Sequence, residues 1–400
     1  MSIEWRTKKL REVCELINGR AYRKPELLSK GKYRVLRVGN FFTSDHWYHS
    51  DLELEDRKYC DTGDLLYAWS ASFGPRIWSG EKVIFHYHIW KVVHDRAQID
   101  QKFLFYFFQW DTEKIKEDQG TGTTMMHVSM ASMNERDIDI PPISEQKLIA
   151  SILDEAFDGI ATAKANAEKN LQNARAIFES QLQFVFTERG KRWKQKTLEE
   201  IAVTFGRGKS KHRPRNAAHL YGGKYPLVQT GDIRNADHII TEYSQTYSEA
   251  GLAQSKLWPK GTICITIAAN IAETAILGFD ACFPDSVIGV VANPQEANVG
   301  FIEYLLQSFK VHIQAMGKGS AQANINMGTF ENERFPFPSV TEQQSIVAEL
   351  DGLKRETQRL VSIYERKLAA LEALKKSLLH RAFAGELTAN KTAELVEALA

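Results

Sequence analysis

The sequence predicts an α/β (α+β-like) fold in tandem repeat: globular domains separated by two long antiparallel coiled-coil helices, pseudo-two-fold symmetric. Three observations predict it. Two stretches carry an apolar seam at alternating steps of four and three. Landmarks of the first half recur, in order, in the second. The stretches between the seams mix short β-branched runs with isolated helical patches, without regular alternation of strand and helix. The chain accordingly divides into a first domain (1–143), a first long helix (144–189), a second domain (190–340), a second long helix (341–387) and a tail (388–400).

In the first helix the pairing seam includes Ile149, Leu153, Ile160 and Ile177, with small alanines between them that would let a partner approach closely. In the second it includes Ile346, Leu350, Leu353, Leu360, Leu371, Leu374 and Leu378, with Glu, Lys and Arg at the outer positions. Prolines bar earlier starts: Pro141 and Pro142 before one helix, Pro336 and Pro338 before the other. A Ser-x-x-Lys start at Ser144 and a capping-box pattern from Thr341 to Gln344 follow them, and Gly385 fits a C-terminal cap. A helix of about forty residues would be about 60 Å long at 1.5 Å per residue, too long for one small domain to cover. Each therefore needs the other, which a single chain supplies most simply in antiparallel fashion, with the globular parts at opposite ends.

The repeat runs through both halves. Trp5 recurs as Trp193, an offset of 188; Gly31-Lys32-Tyr33 recurs as Gly223-Lys224-Tyr225 at 192; Phe103 and Tyr106 match Phe301 and Tyr304 at 198. Asn134-Glu135-Arg136 recurs as Asn332-Glu333-Arg334 at 198, and Ser144-Glu145-Gln146 matches Thr341-Glu342-Gln343 at 197. The drift implies about ten residues inserted stepwise into the second globular part. Within these parts strands are expected over 34–38, 65–69, 82–93, 262–267 and 287–291, and helices over 103–115 and 300–316, giving a largely antiparallel sheet.

Composition excludes several classes of function. Hydrophobic residues at 43%, charged residues at 25% and a net charge of +1 describe an ordinary globular protein whose nucleic-acid contacts would have to be local patches. The longest strongly apolar run, 103–108, is far short of a membrane span, and the first ten residues lack an apolar signal core, so a cytoplasmic protein without a membrane partner is expected. Cys14, Cys60, Cys264 and Cys282 have no paired spacing, and no metal site is expected. The glycines and lysine at 206–210 lack the earlier glycine of a phosphate loop, and Asn293-Pro294 runs on into Gln295-Glu296 rather than into an amino-methyltransferase motif. No catalytic residue is assigned.

Local basicity sits in loops. Arg207, Lys209, Lys211, Arg213 and Arg215 flank Gly206 and Gly208, and Arg20, Arg23 and Lys24 follow Gly19 in the first half. Glycine lets backbone approach a phosphate, and cations there release counterions from nucleic acid. A second pair of loops holds Lys318, Ser320, Gln322 and Asn324 in one half and Thr123 and Thr124 in the other. Their amides and hydroxyls suit base edges or phosphates, or they simply cap turns. Arg37 and Asn40, with Thr230, Arg234 and Asn235, offer further groove-reading chemistry. From residues alone the alternative is a non-catalytic coiled-coil scaffold for protein partners that reads no DNA sequence.

The layout resembles the DNA-specificity (S) subunit of type I restriction–modification systems. The resemblance rests on Pro-Pro-x-Ser-Glu-Gln-x-x-Ile at 141–149, Thr-Glu-Gln-Gln-x-Ile-Val at 341–347, Gly-Ser-Ala-Gln-x-Asn-Ile at 319–325 and Leu-Leu-x-x-Ala-Phe-x-Gly-Glu-Leu at 378–387. The first half departs from it, with Gly-Thr-Thr-Met-Met-His-Val at 122–128. The resemblance implies two target-recognition domains, each reading one half of a split site in double-stranded DNA, and helices that set the unread spacer. It also implies two modification (methyltransferase) subunits docked on the helices, with restriction subunits joining that core. No cofactor is expected on this chain; S-adenosylmethionine is expected on the modification subunit.

Overall fold

The protein is described by a computed structural model covering residues 5–70, 74–119, 127–212, 214–268, 270–317 and 325–388. Each globular part begins and ends in one small sheet. Arg6–Lys9 pairs antiparallel with Asp137–Ile140, and Lys194–Lys196 with Phe335–Phe337. Inside the first part, Cys14–Asn18, Ile89–His94, Leu65–Ala68 and Gly74–Ile77 form an antiparallel four-stranded sheet in that spatial order. A second sheet runs Tyr48–Ser50, Tyr33–Leu36, Val83–Phe85 and Tyr59–Cys60, with one parallel pair, Tyr33–Leu36 beside Val83–Phe85.

The second part repeats this plan. Ala202–Arg207, Val287–Ala292, Ile263–Thr266 and Thr274–Leu277 form the antiparallel sheet, extended by the short parallel strand Ile239–Ile240. Gln245–Tyr247, Tyr221–Leu227, Ala281–Cys282 and Leu257–Trp258 form the other, again with one parallel pair. The expected single sheet is thus two sheets in each half, besides the small two-stranded one at its ends. All four cysteines are buried, and burial alone pushes the Cys14 thiol up to about 12.

Three segments differ from the sequence expectation. The run over 82–93 is two strands, Val83–Phe85 and Ile89–His94, parted by a turn in which Ile89 N–H donates to His86 O at 2.9 Å. The run 34–38 bends after Leu36 into the helical turn Val38–Phe42. The helix expected over 300–316 is two, Val299–Ser308 and Lys310–Gly317. At the break the Ser308 hydroxyl donates to Leu305 O at 2.8 Å, competing with the helical ladder.

The chain divides into two units, and both long helices, Ile143–Phe184 and Val340–Phe383, are shared between them. Unit 1 comprises residues 1–167 and 366–400, and unit 2 residues 168–365. Within unit 1 the helices run antiparallel: Thr388 Oγ1 donates to Glu145 Oε1 at 2.7 Å, Lys375 Nζ stands 5.3 Å from the Phe157 ring centroid, and Lys164 pairs with Glu372 at 2.6 Å. Within unit 2, Arg175 pairs with Glu365 at 3.0 Å and Gln181 Nε2 donates to Glu349 at 3.1 Å. Each unit is therefore a globular part with the start of the helix that follows it and the end of the other helix. Phe103 meets Phe383 at 5.2 Å between ring centroids in unit 1; their counterparts Phe301 and Phe186 meet at 5.2 Å in unit 2. Burying such a ring contributes ~1.5–3 kcal/mol, so each helix end is held by core packing rather than by a hinge.

The seam needs correcting. Ile149, Leu153, Ile346 and Leu350 are fully buried, while Ile160, Leu353, Leu371 and Leu378 are half-buried. Ile177, Leu360 and Leu374 are 47, 37 and 46% exposed and lie at the margin of the seam, Ile177 bordering a groove between the helices with Leu353. Beside them Phe178, Val361 and Lys375 are half-buried, Phe178 against the unit 2 core. A heptad register assumes 3.5 residues per turn; a helix of 3.6 drifts by ~20° per heptad, and a one-residue slip restores contact. The caps also differ. Ser339, not Thr341, caps the second helix, its Oγ accepting Glu342 N–H at 3.3 Å, and Pro142 O rather than Ser144 receives the first N–H groups of the first helix.

Candidate nucleic-acid interface

In each unit one tight turn carries the chain from one sheet to the other, and a glycine-bearing loop is seated beneath it. In unit 1 the turn is 86–89. Gly19 passes so close that an added Cβ would stand 2.3 Å from the carbonyl oxygens of Phe85 and His86, so only glycine fits. Gly19 N–H donates to Ile89 O at 3.1 Å, Arg20 N–H to Phe85 O at 3.0 Å, and Tyr87 N–H to Arg20 O at 3.1 Å. In unit 2 the turn is 284–287, with Val287 N–H donating to Pro284 O at 3.1 Å. Here Gly208 fills the same role: its Cβ would stand 2.3 Å from the Phe283 and Pro284 oxygens, and its N–H donates to Val287 O at 2.8 Å. The counterpart of Gly19 is thus Gly208.

These seats sort the basic residues into anchors and exposed cations. Arg20 grips Glu26 through two hydrogen bonds of 3.1 and 2.7 Å, which hold the Glu26 carboxyl below its usual range. Arg207 is likewise an anchor, Nε donating to Asp285 O at 2.7 Å, and Arg215 reaches the Asp285 carboxylate at 2.8 Å. Arg23, Lys24, Lys209 and Lys211 are exposed beside them. The Lys209 carbonyl accepts the Ser255 hydroxyl at 2.9 Å, fixing the loop while leaving the ammonium to solvent. Lys256, 3.6 Å from the Trp258 ring centroid, is held below its ordinary pKa by burial and then by Lys209.

Around the turn of unit 1, Arg37 lies over the Tyr48 ring at 5.3 Å, and Asn40 Nδ2 donates to Ser44 O at 3.1 Å and His46 O at 2.7 Å. Asn40 therefore shapes the loop with its amide nitrogen. Together with His86 and His88 these residues line an open cavity of about 330 Å³. Rings crowd the turn: His86 and His88 are 4.8 Å apart, Tyr87 and His88 3.9 Å, Trp69 and His88 5.0 Å. Trp69 Nε1 donates to Tyr87 O at 2.7 Å and locks the turn. Burial, then His88 and Arg37, pushes the His86 pKa down to about 4; burial, then His127 and Arg37, lowers that of His88. Both imidazoles are neutral at pH 7.

The matching cavity of unit 2 is different. Thr230 begins the helix Thr230–Asn235, Arg234 reaches Asn270 Oδ1 at 3.4 Å, and Asn235 faces a cavity of about 630 Å³ shared with Asp232, Asp237 and Glu242. Three carboxylates there disfavour a phosphate. Thr123, Thr124, Arg213, Lys318, Ser320, Gln322 and Asn324 lie outside the described residues. Sequence reasoning missed His86 and His88, because an apolar run on either side disguised the turn; three polar rings in succession were the available signal. Among the described residues no cluster of His, Cys, Asp or Glu is placed to hold a metal ion, and no helix is long and apolar enough to cross a membrane.

Comparison with known proteins gives a consistent result. A family model described as type I restriction modification DNA specificity domain matches twice, over residues 2–172 and 190–371. The type I restriction enzyme EcoBI specificity subunit of Escherichia coli is 21% identical, covering 98% of this chain and 88% of that protein. The MjaVIII specificity subunit of Methanocaldococcus jannaschii is 23% identical over 81% of this chain and 79% of its own. The fold is shared with a chain from a structural study of assembly and conformational transition of the type I R-M system (TM-score 0.74, 18% identity, 96 and 98% covered). It is also shared with the HsdS subunit from Thermoanaerobacter tengcongensis (TM-score 0.63, 17% identity, 96 and 97% covered).

Proposed function

The chain belongs to the type I restriction modification DNA specificity family and carries two such domains, and from that premise we propose how it works. Each domain reads one half of a split site in double-stranded DNA through its glycine-seated basic loop and the turn above it. Exposed Arg23 and Lys24 in one domain, and Lys209 and Lys211 in the other, neutralise phosphates and set position, while side chains on the turn meet base edges. The long helices set the length of DNA left unread, since helices of 42 and 44 residues cannot be compressed as a loop can. The chain is a non-catalytic cytoplasmic subunit: two modification subunits dock on it, bind S-adenosylmethionine and methylate adenine, and restriction subunits join that core.

The observation that carries this reading is the duplicated seat. Gly19 and Gly208 hold a basic loop against the same sheet-to-sheet turn in two copies of one domain. A scaffold for proteins alone has no need of that arrangement twice. The test is to mix the purified chain with the modification subunits of its own source and map methylated adenines in host DNA. Methylation within a two-part motif with a constant unread gap is expected; methylation in one continuous motif, or none, overturns the proposal.

A further inference from the structure

We propose that His86 and His88 are the side chains of the first domain that discriminate between bases, acting as hydrogen-bonding groups at the mouth of the Arg37–His46 cavity. This rests on the reading of the chain as a DNA-specificity subunit and names where, in one domain, the specificity lies.

The argument begins with what the duplication keeps and what it changes. The seat is kept: glycine, loop and turn hydrogen bonds recur between Gly19 and Gly208. The crest changes completely, from His86-Tyr87-His88 to Pro284-Asp285-Ser286. Two domains that read different half-sites on one frame must differ where bases are met and agree where the frame is held. In unit 2 the crest is occupied internally, Asp285 being claimed by Arg207 and Arg215. In unit 1 the Tyr87 carbonyl is likewise taken, by Trp69, but the two imidazole rings are not. Among the described residues, neither the His86 nor the His88 ring nitrogens make a hydrogen bond, and both rings border the open cavity.

Chemistry then separates base reading from phosphate binding. A charged imidazole only donates and would serve a phosphate; a neutral one carries one donor and one acceptor, the complement of the N7 acceptor and N6 donor of adenine, whereas the N7 and O6 of guanine both accept. The groups facing the pair are Arg37, His46 and Tyr48 across the cavity, Tyr22 beside His86, and Trp69 and His127 beside His88. None is a carboxylate that would hold the imidazoles charged, and burial keeps both neutral at pH 7. Trp69 stiffens the crest through its bond to the Tyr87 carbonyl, so the rings are presented in fixed geometry.

The experiment uses the full-length chain and a pool of random-sequence DNA duplexes, sequencing what is retained. The unaltered chain is expected to enrich a split motif. His86→Ala and His88→Ala should each weaken discrimination by about tenfold to a hundredfold at one or two positions of a single half-motif. The other half-motif should be kept intact, which also reports that the chain is folded. His88→Gln, which retains a donor and an acceptor, should show a changed base preference rather than none. If both alanine variants enrich the unaltered motif with undiminished discrimination, the inference falls while the functional reading stands. If the unaltered chain enriches no motif, the functional reading falls and takes the inference with it.

Discussion

The side-chain oxygen of Gln343 accepts the backbone N–H of Asn298 at 2.8 Å, tying the first turn of the second long helix to the start of the helix Val299–Ser308. Its amide nitrogen donates to Glu296 O at 3.2 Å and Pro338 O at 3.0 Å, and the residue is fully buried. Gln146 repeats all of this in unit 1, accepting from Asp100 N–H at 2.8 Å and donating to Gln98 O at 3.2 Å and Pro141 O at 2.8 Å. The glutamine at each helix start is thus a weld between domain and helix. Gln343→Ala strands a part-buried N–H and two part-buried carbonyls, so it should cost ~1–3 kcal/mol of unit 2 stability. Denaturant unfolding followed in unit 2 checks this; a loss under about 0.5 kcal/mol, the scale of an ordinary surface substitution, would show that the weld carries little.

Gly208→Ala should be more damaging than any single change in the basic loop, because its methyl group would meet two carbonyl oxygens at 2.3 Å. Backbone, not a flexible side chain, would have to move. Lower thermal stability and weaker DNA binding are expected together. Gly206→Ala, where nothing lies within 4 Å of the added carbon, should leave both nearly unchanged.

The exposed cations should behave as phosphate-binding groups. Replacing Lys209 and Lys211 with alanine is expected to weaken binding to all duplexes alike and to lower the slope of log affinity against log salt by about one for each phosphate left without its cation. Fluorescence titrations across a salt series measure the slope. The same replacement at Arg20 should instead disturb the loop, since its partner Glu26 would lose both of its 3.1 and 2.7 Å bonds.

His86 also makes unit 1 sensitive to acid. Its pKa, about 4 in the folded protein, lies below the ordinary imidazole value, so between those two values the unfolded chain binds more protons than the folded one. Stability therefore falls as pH drops from about 6.5 towards 4 and is unaffected by this group above about 7. His86→Gln should flatten that part of the profile in denaturant midpoints measured from pH 4 to 7.5.

Lengthening both helices where the two units divide, by four residues after Ala167 and four after Glu365, leaves each unit's own packing intact. Each helix grows by about 6 Å, close to two base pairs at about 3.4 Å each. The unread gap in the methylated motif should widen accordingly. An unchanged gap in a folded variant would remove the helices as the measure of spacing.

The duplication, the two helices and their prolines were legible in the sequence because order and periodicity are properties of one dimension. An apolar step of three and four announces a helix that needs a partner, and landmarks recurring from Trp5 to Phe383 announce a repeat, whatever the chain does in space. The choice between neighbouring residues was not legible. Whether Leu360 or Val361 is the better covered, and whether Ser339 or Thr341 caps, depends on how 3.6 residues per turn accumulates along a packed surface. Nor could sequence reveal that Arg207 is spent on Asp285 while Lys209 is exposed, or that Arg37 and His86 line one cavity. Such pairings arise only when two sheets fold together and bring distant segments to a common turn.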